Sequence, residues 1–207
     1  YYSDFGEGTV GNMGPHLQDL PFWALKLRYP LSVEAEGPPV NPQSPPKWII
    51  VRYEYPARSD SSGGLREDLP PVKLTWYHGG KHPNFPEGFD PKGWTQGILF
   101  VGEKGQLAVD YHKLQLFPQA KFADLPLPKS FKPESNAHHA EWIRACKTGE
   151  PTSCPFEYAG PLAEAVQLGL VAYRVGQRIE WDAANLKATN CPEADRFIRP
   201  KYRKGWE

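Results

Sequence analysis

Trp48-Ile49-Ile50-Val51-Arg52-Tyr53-Glu54-Tyr55 is continuously apolar at its start and alternates apolar with charged residues towards its end. β-Branched and aromatic residues in that order predict a strand that leaves the core as it proceeds. Upstream, Leu31-Ser32-Val33-Glu34-Ala35-Glu36 alternates as a half-buried strand, and Pro39, Pro42, Pro45 and Pro46 then mark an extended loop. Downstream, residues 59–64 predict an exposed turn and Val72-Lys73-Leu74-Thr75-Trp76-Tyr77 another strand. Ile98-Leu99-Phe100-Val101-Gly102 and Gln106-Leu107-Ala108-Val109-Asp110 bracket Glu103-Lys104-Gly105 as a hairpin, and residues 111–117 add a strand to it. Four to six strands in succession, several joined by hairpin-length links, predict a largely antiparallel sheet.

Helical periodicity surrounds this β region. Leu17, Leu20, Ala24, Leu25 and Leu27 recur at helical spacing, with Pro21 expected to kink or restart the helix. Residues 138–146 place Trp142, Ile143 and Cys146 on one helical face, and residues 161–175 form a densely apolar helix expected to back the sheet. Arg178-Ile179-Glu180-Trp181 predicts a short strand, followed by a turn held by Asp182, and the basic, aromatic tail is expected to dock over the sheet. The fold class is therefore α+β: an open, mixed but largely antiparallel sheet with helices on one face. The loop opened by His78-Gly79-Gly80-Lys81-His82-Pro83 and running to about Gly93 is a candidate pocket wall, because long ordered loops are uncommon unless functional.

The 207 residues suffice for one substantial core. Basic and acidic residues balance at 24 each, which gives no electrostatic reason to expect nucleic acid or an anionic membrane, and no apolar run reaches the ~18 residues of a membrane span. The 23 prolines and 19 glycines are many against averages of about 5% and 7%, but seven tryptophans, ten tyrosines and ten phenylalanines argue for a folded chain with stiff loops. Cys146, Cys154 and Cys191 lack zinc-ligand spacing and are expected as free thiols, with a Cys146–Cys154 pair only in an exported protein. The sequence opens on Tyr1 with Met13 as its single methionine; no targeting peptide is expected within these residues, and further chain is expected upstream of them.

The stretch Gly6-Glu7-Gly8-Thr9-Val10-Gly11-Asn12-Met13-Gly14-Pro15-His16-Leu17-Gln18-Asp19-Leu20 reads as a glycine-rich turn entering a helix at Pro15. A histidine in the first turn would be biased towards its neutral form by the unpaired N–H groups there, and so able to exchange a proton near neutral pH. Asn12 lies four residues earlier and points the same way if the turn is already near-helical. Gly6-x-Gly8-x-x-Gly11 satisfies the letters of a dinucleotide fingerprint, but the five residues before it are too few and too polar for the buried strand that such a turn requires.

Gly11-Asn12-Met13-Gly14-Pro15-His16-Leu17-Gln18-Asp19 resembles the D-x-G-x-H-x-x-D signature opening the second domain of the Gfo/Idh/MocA oxidoreductases. Leu99-Phe100-Val101-Gly102-Glu103-Lys104-Gly105, Glu141-Trp142-Ile143-Arg144-Ala145-Cys146-Lys147 and Trp181-Asp182-Ala183-Ala184-Asn185-Leu186-Lys187-Ala188-Thr189-Asn190 look like its bacterial, planctomycete-type members. The resemblance covers nearly the whole chain. It implies a single C-terminal substrate-binding and oligomerisation domain over residues 1–207, with a separate N-terminal Rossmann domain holding NAD or NADP and no cofactor bound by this chain alone. The implied ligand is a sugar, polyol or glycoside, and the implied assembly a homo-oligomer through the sheet. The compartment stays open between cytoplasm and, with an upstream export signal, periplasm.

By that resemblance, His16 exchanges a proton with the substrate hydroxyl while hydride moves at the nicotinamide. Asn12 stands where the family has aspartate; an amide orients a hydroxyl but accepts no proton. Asp19 either orients the His16 ring or is a solvated helix residue. Trp76, Tyr77 and His78 either line a sugar site or belong to the core. His138 and His139, with Asp110 and His112, are better read as surface polar residues than as metal ligands, since adjacent histidines project in different directions. The alternative reading is a non-redox carbohydrate-binding or scaffold protein.

Overall fold

The computed structural model describes residues 2–3, 5–60, 67–126, 138–199 and 201–205. They form two compact units, Tyr1–His82 with Phe156–Glu207, and Pro83–Pro155.

The first unit is built on β2 (Ile49–Tyr55), which pairs antiparallel with β1 (Ser32–Glu36) on one side and β5 (Val72–His78) on the other. Ile49, Val51, Tyr53 and Tyr55 point to one face and are buried, as the alternation in the sequence requires. With β9 (Ile179–Asp182) and β10 (Lys187–Ala188), the sheet has the order β10-β9-β1-β2-β5. Its apolar face is covered by α1 (Gly8–Ala24) and α3 (Phe156–Val175), which share one core with it through Val10, Phe22, Leu162, Val166 and Ala172. Gly169 is what lets α3 sit so low: a Cβ there would lie 2.7 Å from the Tyr53 hydroxyl oxygen and 3.0 Å from a Val51 methyl. The opposite face is polar. Arg52 pairs with Glu36 at 3.2 Å, and Arg178 with Glu54 and Glu180 at 2.9 and 2.8 Å. The α+β architecture expected from the pattern is the one observed.

Two local expectations change. The helix starts at Gly8, not Pro15, and runs unbroken through both Pro15 and Pro21. Each proline removes a donor, at a cost of up to ~3 kcal/mol in a helix interior. Burial of Val10 and Phe22, worth ~1.5–3 kcal/mol per large side chain, is what offsets it. Second, the strands do not join one succession. The stretch read as a turn at residues 59–64 begins inside β3 (Arg58–Asp60), which pairs with β4 (Glu67–Leu69) as a separate ribbon; residues 61–64 lie outside the described ones. Only the start of the tail packs, through buried Cys191 and Ala194 and the short α4 (Asp195–Ile198); the basic stretch Lys201 to Gly205, expected to dock over the sheet, is exposed, while Asp182 holds the turn after β9 by accepting from Asn185.

The second unit carries its own antiparallel sheet, β6 (Ile98–Gly102), β7 (Gly105–Val109) and β8 (Leu114–Phe117), and α2 (His138–Thr148). The part of the expected pocket-wall loop that belongs to this unit supplies some of its packing. Phe89 stands 4.7 Å from Phe85, 5.3 Å from Trp94 and 5.9 Å from Phe117 between ring centres, and the Lys113 ammonium sits 4.2 Å over Trp94. Trp142 and Ile143 of α2 are exposed, and Cys146 and Cys154 are free thiols. No helix among the described residues is long and apolar enough to cross a membrane.

Candidate functional site

Because α1 is already helical at residue 12, Asn12, His16 and Asp19 fall at i, i+4 and i+7 and form one row along the helix. All three are exposed, while Gly14 and Gln18 on the other side are buried. The correction to the helix start also removes one argument for His16. The ring lies well past the first turn, outside the reach of the helix N-terminal N–H groups. What the structure adds is Tyr158 of α3, whose hydroxyl donates to the Asp19 carboxylate at 2.5 Å. The row therefore contains a proton-exchanging imidazole, an amide able to donate and accept, and a carboxylate fixed from a second helix.

The glycines beside this row do not fit a dinucleotide. No strand precedes them among the described residues, and Gly8, at φ +67°, is pressed against Pro45, where a Cβ would meet the proline ring at 2.6 Å. They seat the start of α1 on the proline loop and leave no βα turn for a pyrophosphate.

No family model matches this sequence, and no curated protein matches it. Among solved structures it is similar to an oxidoreductase from Agrobacterium radiobacter in complex with NAD+, L-tartaric acid and magnesium, at 13% identity and a TM-score of 0.33. The match covers 78% of this chain and 46% of that one, so this chain spans less than half the length of the protein it matches. A likeness of that size assigns no activity.

Trp76, Tyr77 and His78 are separated by the pleat of β5. Trp76 and His78 face the helices with Val51 and Ile49, whereas Tyr77 is paired with Ile50 on the other side. Trp76 is buried and its indole N–H donates to His78 Nδ1 at 3.0 Å, which fixes the neutral ring with its proton on Nε2. Burial lowers the His78 pKa, against a smaller opposing contribution from the main chain of Pro46. This pair acts as core with a polar handle. The His138 and His139 rings, expected to project in different directions, lie 4.1 Å apart and tilted at 39° at the start of α2, and among the described residues no three His, Cys, Asp or Glu side chains are placed to hold a metal ion.

The structure also reveals a cavity of about 380 Å³ along α3 that does not include the α1 row. Glu164, Gln167, Val171 and Arg174 form one wall at helical spacing, and Trp181 and Phe197 stand on others. The Trp181 indole N–H donates to Glu164 Oε1 at 2.6 Å, and burial pushes the Glu164 carboxyl up against that bond. Sequence reasoning treated the helix as a backing element only. The signal was present as Glu164, Gln167 and Arg174, polar residues on one stripe of an otherwise apolar helix.

Proposed function

We propose that this chain is the substrate-binding part of an NAD(P)-dependent oxidoreductase acting on a sugar, polyol or glycoside, with His16 as the acid/base. The observation that carries this reading is the exposed row of Asn12, His16 and Asp19 on α1, with Asp19 held by Tyr158. The resemblance of that stretch to the Gfo/Idh/MocA signature, together with the exposure of the His16 imidazole, supports this reading. In this reading the hydride acceptor is bound by another domain. This chain's residues bind and orient the hydroxyl, through Asn12 and Asp19, and take or return its proton at the His16 ring. The polar outer face of the five-stranded sheet serves the homo-oligomer that the resemblance implies.

A second reading, a non-redox carbohydrate-binding or scaffold protein, is favoured by one feature: Asn12 stands in place of the family's aspartate and accepts no proton. The two are separated by assaying the protein as encoded against aldoses, polyols and glycosides, following reduction of NAD+ and NADP+. Turnover that His16→Ala abolishes, with an unchanged melting temperature, supports the oxidoreductase. Turnover unaffected by His16→Ala removes the ring from the mechanism. Sugar binding with no nicotinamide reduction by any substrate selects the second reading.

A further inference from the structure

The cavity along α3 has a chemical polarity of its own. At one end, Glu164 accepts from Trp181, and one turn further the Gln167 amide donates to Glu7. Arg174 marks the other end, ten residues on and about 15 Å along the helix axis. Its guanidinium lies 5.4 Å over the Phe197 ring and reaches the Pro42 carbonyl. Neither Glu164 nor Arg174 has a counter-ion among the described residues, and no charged group contributes to the displacement of the Glu164 pKa. The body between the ends is apolar, formed by Leu168, Leu170, Val171 and Pro45.

That arrangement discriminates among ligands. An anion would find its place at the Arg174 end, about 15 Å along α3, and not beside the Glu164 carboxylate. A metal ion would find no group of three ligating side chains among the described residues. A polyol needs hydrogen-bonding groups on several sides, yet most of those present are engaged. Trp181 donates to Glu164, Gln167 to Glu7, and the Tyr173 hydroxyl to the Pro38 carbonyl at 2.9 Å. What remains is the Ser3 hydroxyl, buried without a hydrogen-bond partner, and at the Glu164 end the second Glu164 oxygen, which carries no hydrogen bond among the described residues and lies beside an aromatic ring and an apolar chamber of ligand size.

We propose that this cavity binds a small organic amine, its ammonium group paired with Glu164 against Trp181 and its apolar body lying along Leu168 and Val171. A half-buried carboxyl without a counter-ion is costly to ionise, and a cation supplied by the ligand removes that cost. Cation–π attraction to the indole adds to the preference. This site is separate from His16 and stands whether or not the chain serves redox chemistry.

The test uses the whole chain with isotope-labelled tryptophan, following the Trp181 indole N–H resonance, assigned with Trp181→Phe. Benzylamine is expected to give a saturable shift, benzyl alcohol one at least about tenfold weaker, and benzoate none. Glu164→Gln keeps an acceptor for the indole, and it is expected to bring benzylamine down to the level of benzyl alcohol. Leu186→Trp, at the cavity rim, is expected to block both. Absence of a saturable benzylamine shift overturns the proposal. So does benzylamine binding as tightly to Glu164→Gln as to the parent, or benzoate binding as well as benzylamine.

Discussion

The Tyr158 hydroxyl donates to the Asp19 carboxylate at 2.5 Å, with the Asp19 main-chain oxygen 3.2 Å away, and so ties the start of α3 to the far half of α1. A charge-assisted bond between two helices holds their relative rotation, and with it the direction in which His16 faces. Tyr158→Phe is expected to lower unfolding free energy by about 1 kcal/mol. Asp19→Ala should cost a similar amount, and the double variant little more than either. Denaturant titration of the four proteins measures the coupling. Losses that simply add would show that the two side chains do not support each other.

The Trp76–His78 pair sets a pH dependence. Burial depresses the His78 pKa in the folded state, whereas the unfolded chain titrates at the ordinary value of about 6.5. Below that value the unfolded state binds the proton more readily, so stability is full above it and declines as the pH falls towards the folded-state pKa. Melting temperature is expected to drop between neutral pH and mildly acidic pH. His78→Gln, which can still accept from the Trp76 indole, should remove part of that slope. An unchanged slope in the variant would mean that His78 is not the titrating group.

How these features were visible differs from element to element. β2 was legible because Val51, Tyr53 and Tyr55 alternate with Arg52 and Glu54, and burial on one side of a sheet demands that pattern. The start of α1 was hidden because Gly8, Gly11, Gly14 and Pro15 carry the local chemistry of a turn, and only contact with α3 and the proline loop makes them helical. The row of Asn12, His16 and Asp19 survived the change of boundary, since spacing within a helix does not depend on where it starts. Tyr158 and the cavity were not legible. They join Tyr158 to Asp19, Glu7 to Gln167 and Glu164 to Trp181 across the fold, and no local period encodes such pairs.

Glu164 titrates in the opposite sense to His78. Its carboxyl is raised above the ordinary 4.5 mainly by burial, so the folded state holds the proton more tightly than the unfolded one. Stability is therefore full below the unfolded pKa and falls as the pH rises through the folded-state value. Above that value the ionised carboxylate is a burden that Glu164→Gln relieves, while the amide oxygen keeps the Trp181 bond. The variant is expected to melt above the parent at neutral pH and to converge with it in acid. A variant that melts lower at neutral pH would show that the charge itself is needed for the fold.

Gln18 lies on the buried side of α1. It is 2% exposed and lies beside the Tyr53 hydroxyl, with Tyr55 stacked on Tyr53 at 6.4 Å between ring centres. Neither amide atom of Gln18 nor either phenol oxygen reaches a hydrogen bond of good geometry, although Gln18 is near enough to favour the Tyr53 phenolate slightly. Burial dominates and holds both phenols far above their usual range. Buried polar atoms left in this state cost about 1–3 kcal/mol each, and an apolar group of similar shape does not incur that cost. Gln18→Met is therefore expected to leave stability unchanged or raise it, against the usual direction for a core substitution. Tyr53→Phe should behave the same way, and the two together should not be worse than either. Thermal and denaturant unfolding decide the matter. A loss on Gln18→Met of about 1 kcal/mol or more would reveal a working hydrogen bond between the amide and Tyr53, and α1 would then be anchored by polarity and not by packing alone.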